Sequence, residues 1–107
     1  MITLDRSNIK NKWFEYDEDV SFLIRPFPIS EQALSPSSYN ILEVLLKQAL
    51  YCLIDWKGIV DVNNKPIKCN EENKQFMIDY SEDLMTFINT KAKEMTAGVI
   101  KLPSKKT

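Results

Sequence analysis

Residues 12–25 read Lys12-Trp13-Phe14-Glu15-Tyr16-Asp17-Glu18-Asp19-Val20-Ser21-Phe22-Leu23-Ile24-Arg25, a pattern typical of a β-hairpin. Aromatic and β-branched residues occupy both arms, and three consecutive carboxylates lie between them. Val20, Phe22 and Ile24 share one face of the return arm, which is therefore the more apolar face. Because a two-stranded hairpin alone is only marginally stable in water, we expect this one to pack on another element or to gain further strands.

A long central helix is predicted to follow over residues 38–56. In helical projection its polar side chains fall within one arc of roughly 140°, and the rest of the surface is apolar. A helix with so wide an apolar surface is either the central element of the domain or contacts a partner chain along one flank. Leu46 and Leu50 lie on this surface, and Trp56 at its end is interpreted as closing the core.

Further helices are predicted over residues 71–97. Asn70 is a favourable N-cap, and Ser81-Glu82-Asp83 repeats the same start signal, so the segment forms either one bent helix or two. Between the central helix and this segment, Gly58 can end the first helix, and Asn63-Asn64 can adopt the positive φ angles of a tight turn.

These elements together predict an α+β fold. An N-terminal β-hairpin, with room for a short extra strand pair, packs on about three to four helices within a single globular domain spanning residues 12–98. Residues 99–107 lack a periodic apolar pattern and are predicted to be a flexible basic tail. Residues 91–107 contain five lysines and one glutamate, a net charge of +4; since the whole chain carries −1, the preceding residues carry −5.

The composition argues against several classes of function. The chain has no histidine, which removes the commonest general base and the commonest metal ligand. Only two glycines are present, too few for a phosphate-binding loop, and two cysteines alone cannot complete a zinc site. We therefore predict no enzyme activity and assign no catalytic, cofactor-binding or metal-binding residues. The cysteines are predicted to be free and largely buried thiols.

Charge and hydropathy bear on possible partners. With 14 basic and 15 acidic residues, the chain has no overall basic field to attract nucleic acid. Trp13, Trp56 and their neighbouring aromatic residues could form a stacking platform for single strands, but the acidic hairpin turn favours core packing instead. The longest apolar run, residues 49–54, is far shorter than a membrane span. We expect neither a nucleic-acid nor a membrane partner.

The order of these motifs resembles a family of small proteins encoded in the tail-gene regions of tailed bacteriophages and prophages, among them tail assembly chaperone-like proteins. The resemblance covers roughly residues 12–90. It is carried by three motifs: Trp13-Phe14-x-Tyr16 with Phe22-x-Ile24-Arg25-Pro26, then Asp55-Trp56-Lys57-Gly58-Ile59-Val60-Asp61, and finally Pro66-Ile67 with Cys69-Asn70-Glu71-Glu72-Asn73-Lys74.

This resemblance implies a non-enzymatic protein that binds other phage tail proteins, either as an assembly chaperone or as a minor tail component. It implies a location in the bacterial host cytoplasm or, for a tail component, in the virion. Association of the protein with further copies of itself, as a homo-oligomer, is also considered. The alternative function is that of a phage-encoded regulator or inhibitor that binds a host protein. The residues expected to contact the partner are Leu46, Leu50, Trp13 and Trp56.

Overall fold

A computed structural model describes residues 2–28 and 41–101 and has the predicted α+β architecture. The strands are β1 (Thr3–Leu4), β2 (Lys12–Asp17), β3 (Val20–Ile24), β4 (Leu53–Lys57) and β5 (Ile100–Lys101). The helices are α1 (Ile41–Cys52), α2 (Glu71–Tyr80) and α3 (Glu82–Val99), preceded by a 3-10 helix at Arg6–Ile9. The predicted packing of the N-terminal hairpin on the helices is confirmed.

The hairpin gains a third strand. β2, β3 and β4 form an antiparallel sheet in that order, so β3 is the central strand. Phe14, Phe22 and Trp56 are register partners across the three strands. The sheet therefore presents a continuous row of aromatic side chains on one face, and helix α3 covers this face through Phe87, whose ring lies 6.1 Å from that of Phe22.

The central helix is shorter than predicted. α1 ends at Cys52, and residues 53–56, expected to be helical, form strand β4 together with Lys57; residues 38–40 lie outside the described residues. In β4, Ile54 is an extra residue opposite β3, since Ile24 pairs with Leu53 while Leu23 pairs with Asp55. This bulge lets Leu53 and Trp56, three residues apart, face the core together, a spacing that resembles a helical one in the sequence.

Gly58 therefore ends a strand rather than a helix. The loop that follows closes through a bridge between Val60 and Pro66. Asn64 has the expected positive φ, 65°. The Asp61 carboxylate accepts hydrogen bonds from the backbone N–H groups of Asn63 at 2.8 Å and Lys65 at 3.0 Å, which holds the turn.

Two helices, not one, occupy the C-terminal region. Asn70 caps α2, its side chain accepting a hydrogen bond from the Asn73 N–H at 2.8 Å. Ser81 has extended backbone angles and caps α3 by accepting a hydrogen bond from the Leu84 N–H at 3.2 Å. The second start signal in the sequence therefore separates the two helices.

The N-terminal residues belong to the packed structure, although the predicted domain begins at residue 12. β1 pairs antiparallel with β5, and the Asp5 N–H donates to the Val99 carbonyl at 2.7 Å. The predicted flexible tail 99–107 is ordered at its start, because Val99 ends α3 and Ile100–Lys101 form β5; residues 102–107 lie outside the described residues. Pairing between such short, distant segments leaves no local signal in the sequence.

One core lies between the sheet and the helices. α1 packs against α3, and α2 packs against both. Among the described residues, the largest fully buried side chains come from the sheet and from all three helices: Phe22, Ile24, Leu53, Ile78, Ile88 and Cys52.

Candidate functional site

Helix α2 carries large side chains on two opposite sides, one buried and one exposed. Lys74 and Ile78 are buried against the rest of the fold. Phe76 and Tyr80 project from the other side and are 62% and 78% exposed. Positions 74 and 76 are separated by about 200° around a helix, as are 78 and 80. The inward stripe, Lys74 and Ile78, and the outward stripe, Phe76 and Tyr80, therefore lie on opposite faces of α2. An aromatic pair in this position does not contribute to the core.

The two exposed rings contact each other. Their centroids lie 4.8 Å apart with planes inclined by 36°. The i,i+4 spacing places them one above the other along the helix. Next to them, the Gln75 amide donates to the Asp79 carboxylate at 2.8 Å, so a polar pair borders the rings on one side. An apolar centre with a polar rim is the usual composition of a protein interface.

The inward stripe explains why α2 keeps this orientation. Ile78 is fully buried, and the Lys74 ammonium lies 3.2 Å from the Glu71 carboxylate. The Lys74 stem packs inside while its charge reaches the exposed carboxylate one turn earlier. Rotating α2 to bury Phe76 and Tyr80 would expose Ile78 and break this arrangement.

Within residues 2–28 and 41–101, the sheet also leaves one face open. Because Phe22 and Ile24 point to the core, Leu23 and its neighbours Trp13 and Asp55 point the other way. Trp13 is 41% exposed, and the Lys57 ammonium lies 4.2 Å from the centroid of its ring. This outer face combines one aromatic side chain with charged ones.

The structure separates the four residues predicted to contact a partner. Trp13 lies on the outer face of the sheet, whereas Leu46 and Leu50 are half-buried on α1 and pack against the core. Trp56 is only 6% exposed, and its indole N–H donates to the Ile67 carbonyl at 2.7 Å. Trp56 is therefore a core residue that is not available to a partner in this conformation, which corrects its place in the predicted set.

The set of partner-contact residues predicted from the sequence does not include Phe76 and Tyr80. The sequence contains a signal for them: residues 74–80 place apolar residues at 76 and 80 as well as at 77 and 78, more than one face can bury. Which stripe faces inward depends on the position of α1 and α3, and this is a tertiary property.

Neither thiol has the character of a reactive cysteine. Both are free, and Cys52 is buried while Cys69 is half-buried. Burial raises the pKa of the Cys52 thiol to about 12, against a smaller opposing influence of Arg25. Burial also raises the pKa of the Cys69 thiol to about 11. Nucleophilic thiols have a lowered pKa, so these two cysteines are packing residues.

Among the described residues, none of the helices has the length and apolar composition needed to cross a membrane. Comparison with models of protein families, with curated proteins and with solved structures finds no match to this chain. The candidate site is therefore defined by its geometry, with the exposed Phe76–Tyr80 pair as its clearest feature.

Proposed function

We propose that this protein acts without catalysis, by binding another protein through the Phe76–Tyr80 surface of α2. The observation that carries the proposal is the exposure of two contacting aromatic rings on the side of a helix opposite to its buried face. Aromatic side chains are the residues that most often dominate the binding energy at protein interfaces. The absence of histidine from the sequence adds support, because it removes the commonest acid–base catalyst.

The resemblance of the sequence to small phage tail-region proteins suggests the setting: assembly of a phage tail, with another tail protein as the partner. A chaperone for such proteins needs apolar surface presented on a stable scaffold. Helix α2 provides this, since caps at Asn70 and Ser81 define its bounds and Ile78 anchors it. Trp13 on the outer face of the sheet supplies a second apolar contact.

The test is co-expression of the full chain with each protein encoded in the surrounding tail-gene region, followed by affinity measurement on purified pairs. Replacing both rings (Phe76→Ser with Tyr80→Ser) should weaken the complex about thirtyfold or more. Val62→Ser is the matched control, because Val62 is fully exposed in the loop and should leave the affinity unchanged.

Unchanged affinity in the double variant would overturn the assignment of this surface. Binding to a host protein and to none of the tail proteins would overturn the tail-assembly setting and favour the host-directed regulator. Mass spectrometry of lysates and purified particles then distinguishes the two roles within tail assembly. Abundance in the lysate with absence from particles identifies a chaperone, and a constant copy number per particle identifies a tail component.

A further inference from the structure

A cavity of about 470 Å³ opens between the 3-10 helix, the segment after β3 and the end of α3. Its wall is mostly apolar and includes Ile9, Pro26, Pro28, Val99 and Ile100. This volume lies within the range of small-molecule sites, which are typically apolar with a few polar groups that orient the ligand. The Phe76–Tyr80 pair of the proposed protein interface is not among the residues that line it.

Arg25 places a positive charge in this wall. The guanidinium lies over the Tyr51 ring, with its central carbon 3.7 Å from the ring centroid. Its Nε–H donates to the Tyr51 carbonyl at 2.7 Å, and the Arg25 backbone N–H donates to the Cys52 carbonyl at 3.0 Å. These contacts fix the guanidinium in position before any ligand arrives, which lowers the entropic penalty of binding.

The outer edge of this guanidinium has no counterion in the described part of the chain. The ion pairs there join lysines to glutamates, and the hydrogen bond of the Arg25 side chain uses only Nε. Thr96, another polar residue of the wall, is already engaged: its hydroxyl accepts from the Phe27 N–H and donates to the Ala92 carbonyl. The terminal amino groups of Arg25 are therefore the charged donors available to a ligand.

We propose that this cavity binds a carboxylate attached to an aliphatic chain. The planar guanidinium matches a carboxylate through two parallel N–H···O bonds. The aliphatic chain lies against Ile9, Val99 and Ile100 and is removed from water there. A free fatty acid and the C-terminal carboxylate of an apolar peptide both have this chemistry.

The test is an NMR titration of the isotope-labelled full chain with sodium octanoate. Octanoate should shift the backbone amide signals of Arg25, Ile9 and Ile100. Two controls separate the contributions of charge and chain: 1-octanol lacks the carboxylate, and acetate lacks the chain. Each control should bind at least about tenfold more weakly than octanoate, because each removes one of the two interactions.

Two variants test the role of Arg25. Arg25→Gln should weaken octanoate binding at least about tenfold. Lys93→Gln is the matched control, since it removes one positive charge outside this cavity. Because Arg25 also contacts Tyr51, Ile100→Glu provides a second variant that keeps Arg25: an exposed strand residue becomes a carboxylate at the cavity and should repel octanoate.

Two further ligands identify the source of the carboxylate. N-acetyl-trileucine with a free carboxylate, compared with its C-terminal amide, represents the end of an apolar peptide. Tighter binding of octanoate assigns the site to fatty acids, and tighter binding of the peptide acid assigns it to peptide C-termini. The proposal is overturned if octanol binds as tightly as octanoate, if Arg25→Gln binds like Lys93→Gln, or if neither carboxylate shifts the cavity signals.

Discussion

Gly58 lies directly against the backbone of Asp19: a Cβ atom at position 58 would overlap the Asp19 carbonyl oxygen. This contact joins the end of β4 to the turn between β2 and β3. Gly58 also has a φ of +85°, a conformation that residues with a Cβ atom rarely adopt. Both features require glycine, so glycine at position 58 lets the end of β4 lie against the hairpin turn.

Gly58→Ala should lower the free energy of unfolding by about 2 kcal/mol or more, because it combines backbone strain with a steric overlap. Urea denaturation of the purified variant measures this. Asn64→Gly is the control at another position of positive φ, and it should change stability by less than about 1 kcal/mol. Equal effects of the two substitutions would contradict the close approach of Gly58 to Asp19.

The two tryptophans should differ sharply in their contribution to stability. Trp56→Phe removes the hydrogen bond to the Ile67 carbonyl and leaves a void in the core, so it should destabilise by about 2 kcal/mol or more. Trp13→Phe changes a partly exposed ring beside Lys57 and should cost less than about 1 kcal/mol. Chemical denaturation of the two variants measures this difference in the free energy of unfolding. Fluorescence of each single-tryptophan variant should show Trp56 emitting at the shorter wavelength.

Alkaline pH should destabilise the fold partly through Cys52. Burial raises the pKa of this thiol from 9.0 to about 12, so the folded chain keeps its proton where the unfolded chain has lost it. The stabilising contribution is complete below pH 9 and is lost as the pH rises towards 12. Between pH 8 and pH 10, the wild type should lose about 1 kcal/mol more stability than Cys52→Ala. If the free energy of unfolding changed with pH in the same way for the wild type and Cys52→Ala, the raised pKa of the Cys52 thiol would be contradicted.

The N-terminal segment should stabilise the end of α3. The Asn8 side-chain amide donates to the Gly98 carbonyl at 3.0 Å and to the Asp5 carboxylate at 3.1 Å. Asn8→Ala should destabilise by about 1 kcal/mol and accelerate hydrogen exchange at residues 99–101. Lys10→Ala, at an exposed neighbouring position, should leave that exchange unchanged. If both variants exchange alike, the N-terminal segment does not hold the helix end.

The strongest local patterns predicted their elements correctly. The alternation and acidic turn of residues 12–25 predicted the hairpin, and the capping residues Asn70 and Ser81 mark the starts of α2 and α3. These signals act between residues close in the chain, so they can be recognised in the sequence without a structure. The candidate site depends on tertiary packing. The sequence favours core packing for the aromatic residues around Trp13, yet Trp13 is partly exposed, and its contact with a partner stays a prediction. The exposure of the Phe76–Tyr80 pair follows from the packing of α2.

The sequence by itself determined the α+β class, the hairpin and the helix caps, because periodicity, turn chemistry and hydrogen bonding within a few residues decide them. Only the tertiary structure decided that residues 53–57 form a strand, since the bulge at Ile54 and the pairing with β3 outweigh an apolar spacing that also suits a helix. It likewise decided that Trp56 is buried and that Phe76 and Tyr80 are exposed. Burial depends on which segments meet, and those contacts join residues far apart in the chain.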